Sequence, residues 1–332
     1  MPFINDYIKD FKDQIAVIDD KGSYNYSELI NLSNKLSKLS LNKALVFCFC
    51  RNNIESIFGY FSLMENNLVP VLLDADIDEE LLNDLIFNYK PLYVWKEKNK
   101  VFKNLVLKEL MIYSNYELNK ISDHNSYQIN PNLNLLLSTS GSTGSRKFVR
   151  VSYENLKTNA ISIATYLSIN DAEKPITTLP VNYSFGLSII NSHFIKGATI
   201  LLTNSSVLEM DFWKFFRKNK PTSISGVPFT FEMLKKIRIF RMELGHLKTF
   251  TQAGGKMNDS LILEYANYCV ENNKSFYVMY GQTEACPRIS YLPNDKVISK
   301  LGSIGNAIPG GKLFIIDDEG NKINKPNTSG EL

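Results

Sequence analysis

Between residues 44 and 88 short apolar runs alternate with amphipathic stretches, and this alternation restricts the chain more than any other feature. Residues 44–50 and 68–73 read as buried strands; residues 54–64 and about 78–88 read as the helices that follow them. A strand that is apolar on both faces must be covered on both, so the pattern predicts a layered α/β fold. It continues with a strand over 133–137 and a helix over 153–166, for which Ser152 supplies an N-cap. Further strands are expected at 176–179, 199–202, 222–225, 248–251 and 276–279, with helices near 211–218, 229–239 and 258–269. From residue 301 the texture changes to glycine, proline and short strands such as 312–316, with a turn signal at Asp317-Asp318-Glu319-Gly320. The boundaries that follow are 1–175 for a first α/β unit, 176–300 for a second, and 301–332 for the start of a β-rich third.

With 332 residues, 44% of them hydrophobic, the chain can bury a large core. A net charge of +3 argues against a dedicated nucleic-acid binder, which concentrates basic residues on one face. Cys48, Cys50, Cys269 and Cys286 match neither a zinc-site spacing nor a disulfide framework, and they read as free thiols in a reducing compartment. The start Met1-Pro2-Phe3-Ile4 lacks the basic and apolar regions of a leader, and no apolar stretch reaches membrane-span length. A cytoplasmic location is the expectation.

Four segments carry chemistry. Ser138-Thr139-Ser140-Gly141-Ser142-Thr143-Gly144-Ser145-Arg146-Lys147 follows a strand and combines flexible glycines, hydroxyl donors and two cations, the ingredients of a phosphate cradle. It is not the P-loop of nucleoside triphosphatases, because the residue after Lys147 is Phe148 and the glycine spacing differs. Thr139, Ser140, Ser142 and Thr143 would wrap phosphates, with Lys147 as a point charge; a loose polar loop is the plain alternative. Met279-Tyr280-Gly281-Gln282-Thr283-Glu284 falls at the C-terminal end of a strand, where open α/β sheets bind ligands. Tyr280 can stack on a purine, Thr283 can reach a phosphate oxygen, and Glu284 can hold Mg²⁺.

Gln252-Ala253-Gly254-Gly255-Lys256 allows close approach of backbone to a flat ligand, although Lys256 could simply face solvent. The run 179–187, with Tyr183, Ser184, Phe185 and Gly186, suits a substrate-pocket wall or equally a core corner. His124, His193 and His246 have no metal-ligand spacing, no G-x-S-x-G elbow occurs, and Asp74 and Asp76 fit a turn.

Taken in order, STSGSTGSRK at 138–147, QAGGK at 252–256, YGQTE at 280–284 and the closing SGEL resemble the adenylate-forming superfamily. That group comprises acyl- and aryl-CoA synthetases, firefly-type luciferases and the adenylation domains of nonribosomal peptide synthetases; Tyr26-Ser27-Glu28-Leu29 is similar to its opening motif. The resemblance covers essentially the whole chain. It implies a layered αβαβα N-terminal domain of two β-sheet subdomains, with the start of a small β-barrel-like one. It also implies a carboxylate attacking the α-phosphate of ATP, with Mg²⁺, and transfer of the acyl group to a thiol, most often coenzyme A, otherwise a phosphopantetheine carrier protein. By similarity, Thr139 to Gly144 and Lys147 grip phosphates, Gly254 and Gly255 lie near adenine and acyl pocket, Tyr280 to Gln282 meet adenine, and Thr283 and Glu284 serve phosphate and metal.

Several positions depart from the pattern. Arg146 stands where a proline is usual, Phe148 where a glycine is usual, and Tyr183 where many acyl-CoA synthetases place a histidine. Amino-acid-activating relatives carry an aspartate after the phenylalanine; here Gly186 follows Phe185, leaving a substrate ammonium without its counter-ion. The expected substrate is therefore a non-amino acid, aliphatic or fatty. The run Thr328-Ser329-Gly330-Glu331-Leu332 stops where another strand begins. The family's ribose-binding aspartate, hinge and C-terminal lid, with its lysine, would follow, so slow turnover by these residues alone is expected. An inert nucleotide-binding module is the remaining alternative.

Overall fold

In the computed structural model, which describes residues 4–139 and 147–332, the expected alternation becomes five layers. In chain order the first half contains β1 (Ile15–Ile18), β2 (Ser23–Asn25), α1 (Tyr26–Ser37), β3 (Leu45–Cys50), α2 (Ile54–Glu65), β4 (Val69–Asp74), α3 (Glu79–Tyr89), β5 (Tyr93–Glu97), β6 (Leu107–Tyr113), β7 (Tyr116–Ile121), β8 (Leu135–Ser138), β9 (Phe148–Val151) and α4 (Tyr153–Tyr166). The second half contains β10 (Pro175–Thr177), α5 (Ser184–Phe194), β11 (Ile200–Leu202), α6 (Met210–Asn219), β12 (Ser223–Gly226), α7 (Pro228–Lys236), β13 (Thr249–Gln252), α8 (Asp259–Glu271), β14 (Ser275–Gly281), β15 (Arg288–Leu292), β16 (Asn306–Ala307), β17 (Ile315–Ile316) and β18 (Lys322–Ile323).

Among the described residues, a seven-stranded sheet runs β6-β7-β5-β3-β4-β8-β9 and a nine-stranded sheet runs β16-β15-β14-β13-β12-β10-β11-β1-β2, with β17 and β18 as a separate pair. Side chains alternate across each strand and so feed two cores. In β3, Val46, Cys48 and Cys50 join the central core, whereas Leu45, Phe47 and Phe49 join the core under α3. The central core is filled by helices between the sheets, which explains why α2 and α5 are buried almost all round. On the far side of the nine-stranded sheet, α6 buries only Phe212, Trp213 and Phe216 and leaves its charged face to water.

Sheet membership does not follow sequence order. The β1–β2 hairpin lies at the edge of the nine-stranded sheet, where β1 pairs in parallel with β11. Residues 15–25 thus belong with strands beyond residue 175, and the unit drawn at 1–175 shares its first strands with the second. Asp74 ends β4 and Asp76 lies in the turn that follows, which the Asp74 carboxylate fixes by accepting from the Asp76 amide at 2.8 Å; Asp76 pairs with Arg51. All four cysteines are free. No described helix is long and apolar enough to cross a membrane.

Candidate active site

Strands β10, β12, β13 and β14 run parallel, so their C-terminal ends share one edge of the sheet. There the chain leaves β13 into Ala253-Gly254-Gly255 and leaves β14 into Gln282-Thr283-Glu284, and both turns face the N-terminus of α5. From the other sheet, the end of β8 brings Thr139 to the same place. The result is two adjoining cavities.

The first, of about 420 Å³, is lined by Thr139, Tyr183, Ser184, Phe185, Thr283 and Glu284 together with Gln282, Ala253, Pro287 and Arg288. The second, of about 470 Å³, has Gln252, Gly255, Lys256 and Tyr280 on its walls, backed by apolar Met257, Ile262, Val278 and Leu292. Gly254 and Gly281 line both. Each is a glycine for a physical reason. At Gly254 φ is +78° and a Cβ would stand 2.6 Å from the Tyr183 hydroxyl, so the tyrosine lies directly against backbone. At Gly281 a Cβ would overlap the Pro287 carbonyl oxygen. The chain therefore folds back tightly through a short helical turn at Thr283–Ala285 and a left-handed Cys286 at φ +62°.

Local hydrogen bonds fix the walls. The Ser184 and Thr283 hydroxyls lie 3.0 Å apart and join α5 to the turn after β14. The Gln252 amide nitrogen donates to the Gly255 carbonyl at 2.9 Å, which holds the glycine turn in place. Burial pushes the Tyr183 phenol up, and nearby Arg288 opposes that shift. Glu284 is exposed at the mouth and makes no hydrogen bond or ion pair among the described residues.

Most segments singled out in the sequence meet here, although not every residue does. Ser140, Gly141, Ser142, Thr143 and Gly144 lie outside the described residues. Lys147, on the far side of that loop, is exposed and lines neither cavity; its carbonyl accepts from the Thr139 amide at 3.3 Å, closing the β8–β9 pair. Gly186 was expected in the pocket wall but packs inside α5 against the backbone of Leu179 and Pro180. The helical position after Phe185 turns away from the cavity.

One residue escaped the sequence reading. Arg288 is 3% exposed, its guanidinium carbon sits 4.0 Å from the centroid of the Phe185 ring, and its Nε has no hydrogen-bond partner. The sequence carried no signal for it: in Arg288–Leu292 the alternation puts Ile289 and Tyr291 on one face, and only the structure shows that Arg288, Ser290 and Leu292 are the buried ones, where a cation is anomalous.

Among the described residues no group of three acids, histidines or cysteines could hold a metal unaided. A Mg²⁺ ion does not require such a group, since it is commonly bound by one or two carboxylates plus phosphate oxygens. An unpaired, exposed Glu284 beside the Thr283 hydroxyl fits that mode.

A model of the AMP-binding enzyme family matches residues 5–332. The chain is 25% identical over 343 residues to a 2-succinylbenzoate–CoA ligase of Bacillus pumilus, covering 96% of this chain and 66% of that protein. It is 28% identical over 208 residues to an indoleacetate–CoA ligase of Aromatoleum aromaticum, covering 62% of this chain and 40% of that one. Among solved structures, VinN aligns over 98% of this chain and 85% of its own with a TM-score of 0.81 at 20% identity. MenE from Bacillus subtilis, in complex with ATP and magnesium ion, aligns over 96% of this chain and 66% of its own, with a TM-score of 0.74 at 21% identity. The chain spans between 37% and 66% of the length of the first two curated relatives it matches.

Proposed function

Because this chain belongs to the AMP-binding enzyme family, we propose that it binds ATP with Mg²⁺ and activates a carboxylic acid lacking an α-ammonium, forming an acyl-adenylate for transfer to coenzyme A. The observation that carries this reading is the pair of cavities meeting at Gly254 and Gly281. One is walled by Tyr280 and apolar side chains, as a flat purine requires; the other has hydroxyls and a carboxylate at its mouth. The reacting carboxylate and the α-phosphate would meet at the shared glycine wall, where no side chain intervenes.

In that step the acid's oxygen forms a bond to the α-phosphorus while the bond to pyrophosphate breaks. Charge accumulates on the phosphate oxygens, so donors at their position lower the barrier. Thr139 and Thr283 would donate to those oxygens, and Lys147 would add positive charge for the same phosphates. Glu284 would hold Mg²⁺, which when bound neutralises phosphate charge. Glu284 is the one acid among the first cavity's described lining residues, and with that carboxylate given to the metal none remains for a substrate ammonium. The apolar part of that lining is confined to Phe185, Ala253 and Pro287 beside the glycines, which suits a short acyl group better than a long fatty chain.

Relatives named as coenzyme A ligases favour coenzyme A over a carrier protein as the thiol. The test is titration calorimetry with a 5′-O-(acylsulfamoyl)adenosine, a stable mimic of the adenylate, against AMP and against ATP with and without Mg²⁺. The mimic should bind at least about tenfold more tightly than AMP, because it fills both cavities, and ATP should compete in a Mg²⁺-dependent way that Glu284→Gln diminishes. Absence of binding by both mimic and AMP at millimolar concentration would sink the reading.

A further inference from the structure

The geometry points to Arg288 as the anchor for a second anionic group on the substrate, which makes the activated acid a dicarboxylate. This rests on the adenylate reading and narrows it. A buried guanidinium is costly unless an anion and hydrogen-bond acceptors answer it. Here the surroundings are Phe185, Tyr166 and Tyr183; the Tyr166 phenol answers the guanidinium with a hydrogen bond, but it is neutral, and no carboxylate among the described residues pairs with the cation. The ring face under the guanidinium offsets part of the cost. The Nε–H remains without an acceptor in a chain whose other buried polar groups are largely satisfied.

Its place in the cavity excludes the phosphates as the missing partner. Thr139, Thr283 and exposed Glu284 mark the mouth, where phosphate and metal belong. Arg288 also borders a small interior space whose walls include Glu173, His193, Ser225 and Thr251, on the side of the cavity away from exposed Glu284; Glu173 there accepts from the Thr222 hydroxyl and makes no ion pair with Arg288. An acid whose reacting carboxylate lies at the glycine wall, facing the phosphates, can extend its other end toward this cation. A distal carboxylate there can take two parallel N–H donors from the guanidinium, which an alkyl terminus cannot. The same charge repels a substrate ammonium, in agreement with a cavity whose one acid among the described lining residues is Glu284.

The test compares two adenylate mimics of equal length on the wild-type chain by calorimetry: glutaryl-sulfamoyladenosine, with a free terminal carboxylate, and its hexanoyl counterpart of similar size, with AMP titrated separately. The expected result is a preference of roughly 30-fold or more for the glutaryl mimic, as for one member of a buried charge pair, which falls to near unity in Arg288→Met. Arg288→Lys keeps a charge without the planar fork and should retain only part of the preference. Thermal unfolding of each variant reports its fold, and the wild-type comparison stands without any variant. Equal affinities in the wild type, or a preference that survives Arg288→Met, would overturn the assignment while AMP binding upholds the adenylate reading. If AMP and both mimics fail to bind, that reading falls and this inference falls with it.

Discussion

At the scale of single residues, the glycines between the two cavities do what no other side chain can. Gly254→Ala should place a methyl group against the Tyr183 hydroxyl at a left-handed φ. The expected cost is about 1–2 kcal/mol of stability from backbone alone, with a clear loss of affinity for the adenylate mimic; thermal unfolding and calorimetry read the two effects. His193 gives a pH prediction. It is buried in α5, its Nδ1 lies 2.7 Å from the Ile189 carbonyl, and burial holds its pKa down at about 4. An unfolded chain takes up that proton near pH 6.5. Stability from this group is therefore complete above about pH 6.5, falls as pH drops, and levels off below about 4, because the unfolded state binds the extra proton across that window. His193→Gln should flatten the decline of Tm between pH 6.5 and 4. These residues were legible to different degrees: Gly254 stood out as one of two adjacent glycines, whereas Arg288 looked like any strand residue until its neighbours were known.

At the scale of elements, the helices with strong end signals were read well. For α4 the residues 153–166 follow directly from Ser152, whose hydroxyl accepts from the Asn155 amide at 3.1 Å while Asn155 answers the Ser152 amide at 3.2 Å. Ser152→Ala should cost about 1 kcal/mol, the usual worth of an N-cap, measurable by urea denaturation, and it should leave ligand affinity unchanged. Strands β6 and β7 went unread because charged residues such as Lys108, Glu109, Glu117 and Lys120 obscure their alternation. Tertiary pairing supplies what the pattern lacks: Lys96 on β5 meets Glu117 on β7 at 2.5 Å across the antiparallel pair. Of helix α5, residues 184–187 read as a pocket wall or a core corner, and only the run around His193 reads as helix-like. Every residue from Ser184 to Phe194 is buried, and a helix buried on all faces shows no amphipathic stripe.

At the scale of the whole molecule, the β1–β2 hairpin is the feature that departs most from a linear reading. The Tyr26 hydroxyl at the start of α1 donates to the Ala198 carbonyl at 2.6 Å, a link across 172 residues that helps seat the hairpin beside β11. Tyr26→Phe should leave that carbonyl short of its buried partner and cost about 1–2 kcal/mol, read from the denaturation midpoint. A chain cut to residues 1–175 should fail to fold cooperatively and expose apolar surface to a hydrophobic dye, since β1 would lose its partner β11. The sequence by itself determined the layered class, the strand and helix order through most of the chain, and the motifs that lie at the strand ends, because these are set by local periodicity and by residue chemistry. Tertiary structure alone decided that two distant turns and α5 enclose adjoining cavities, that residues 15–25 join the far sheet, and that Arg288 is a buried cation with no ion-pair partner among the described residues. Each of those depends on contacts between residues far apart in the chain, which local patterning does not encode.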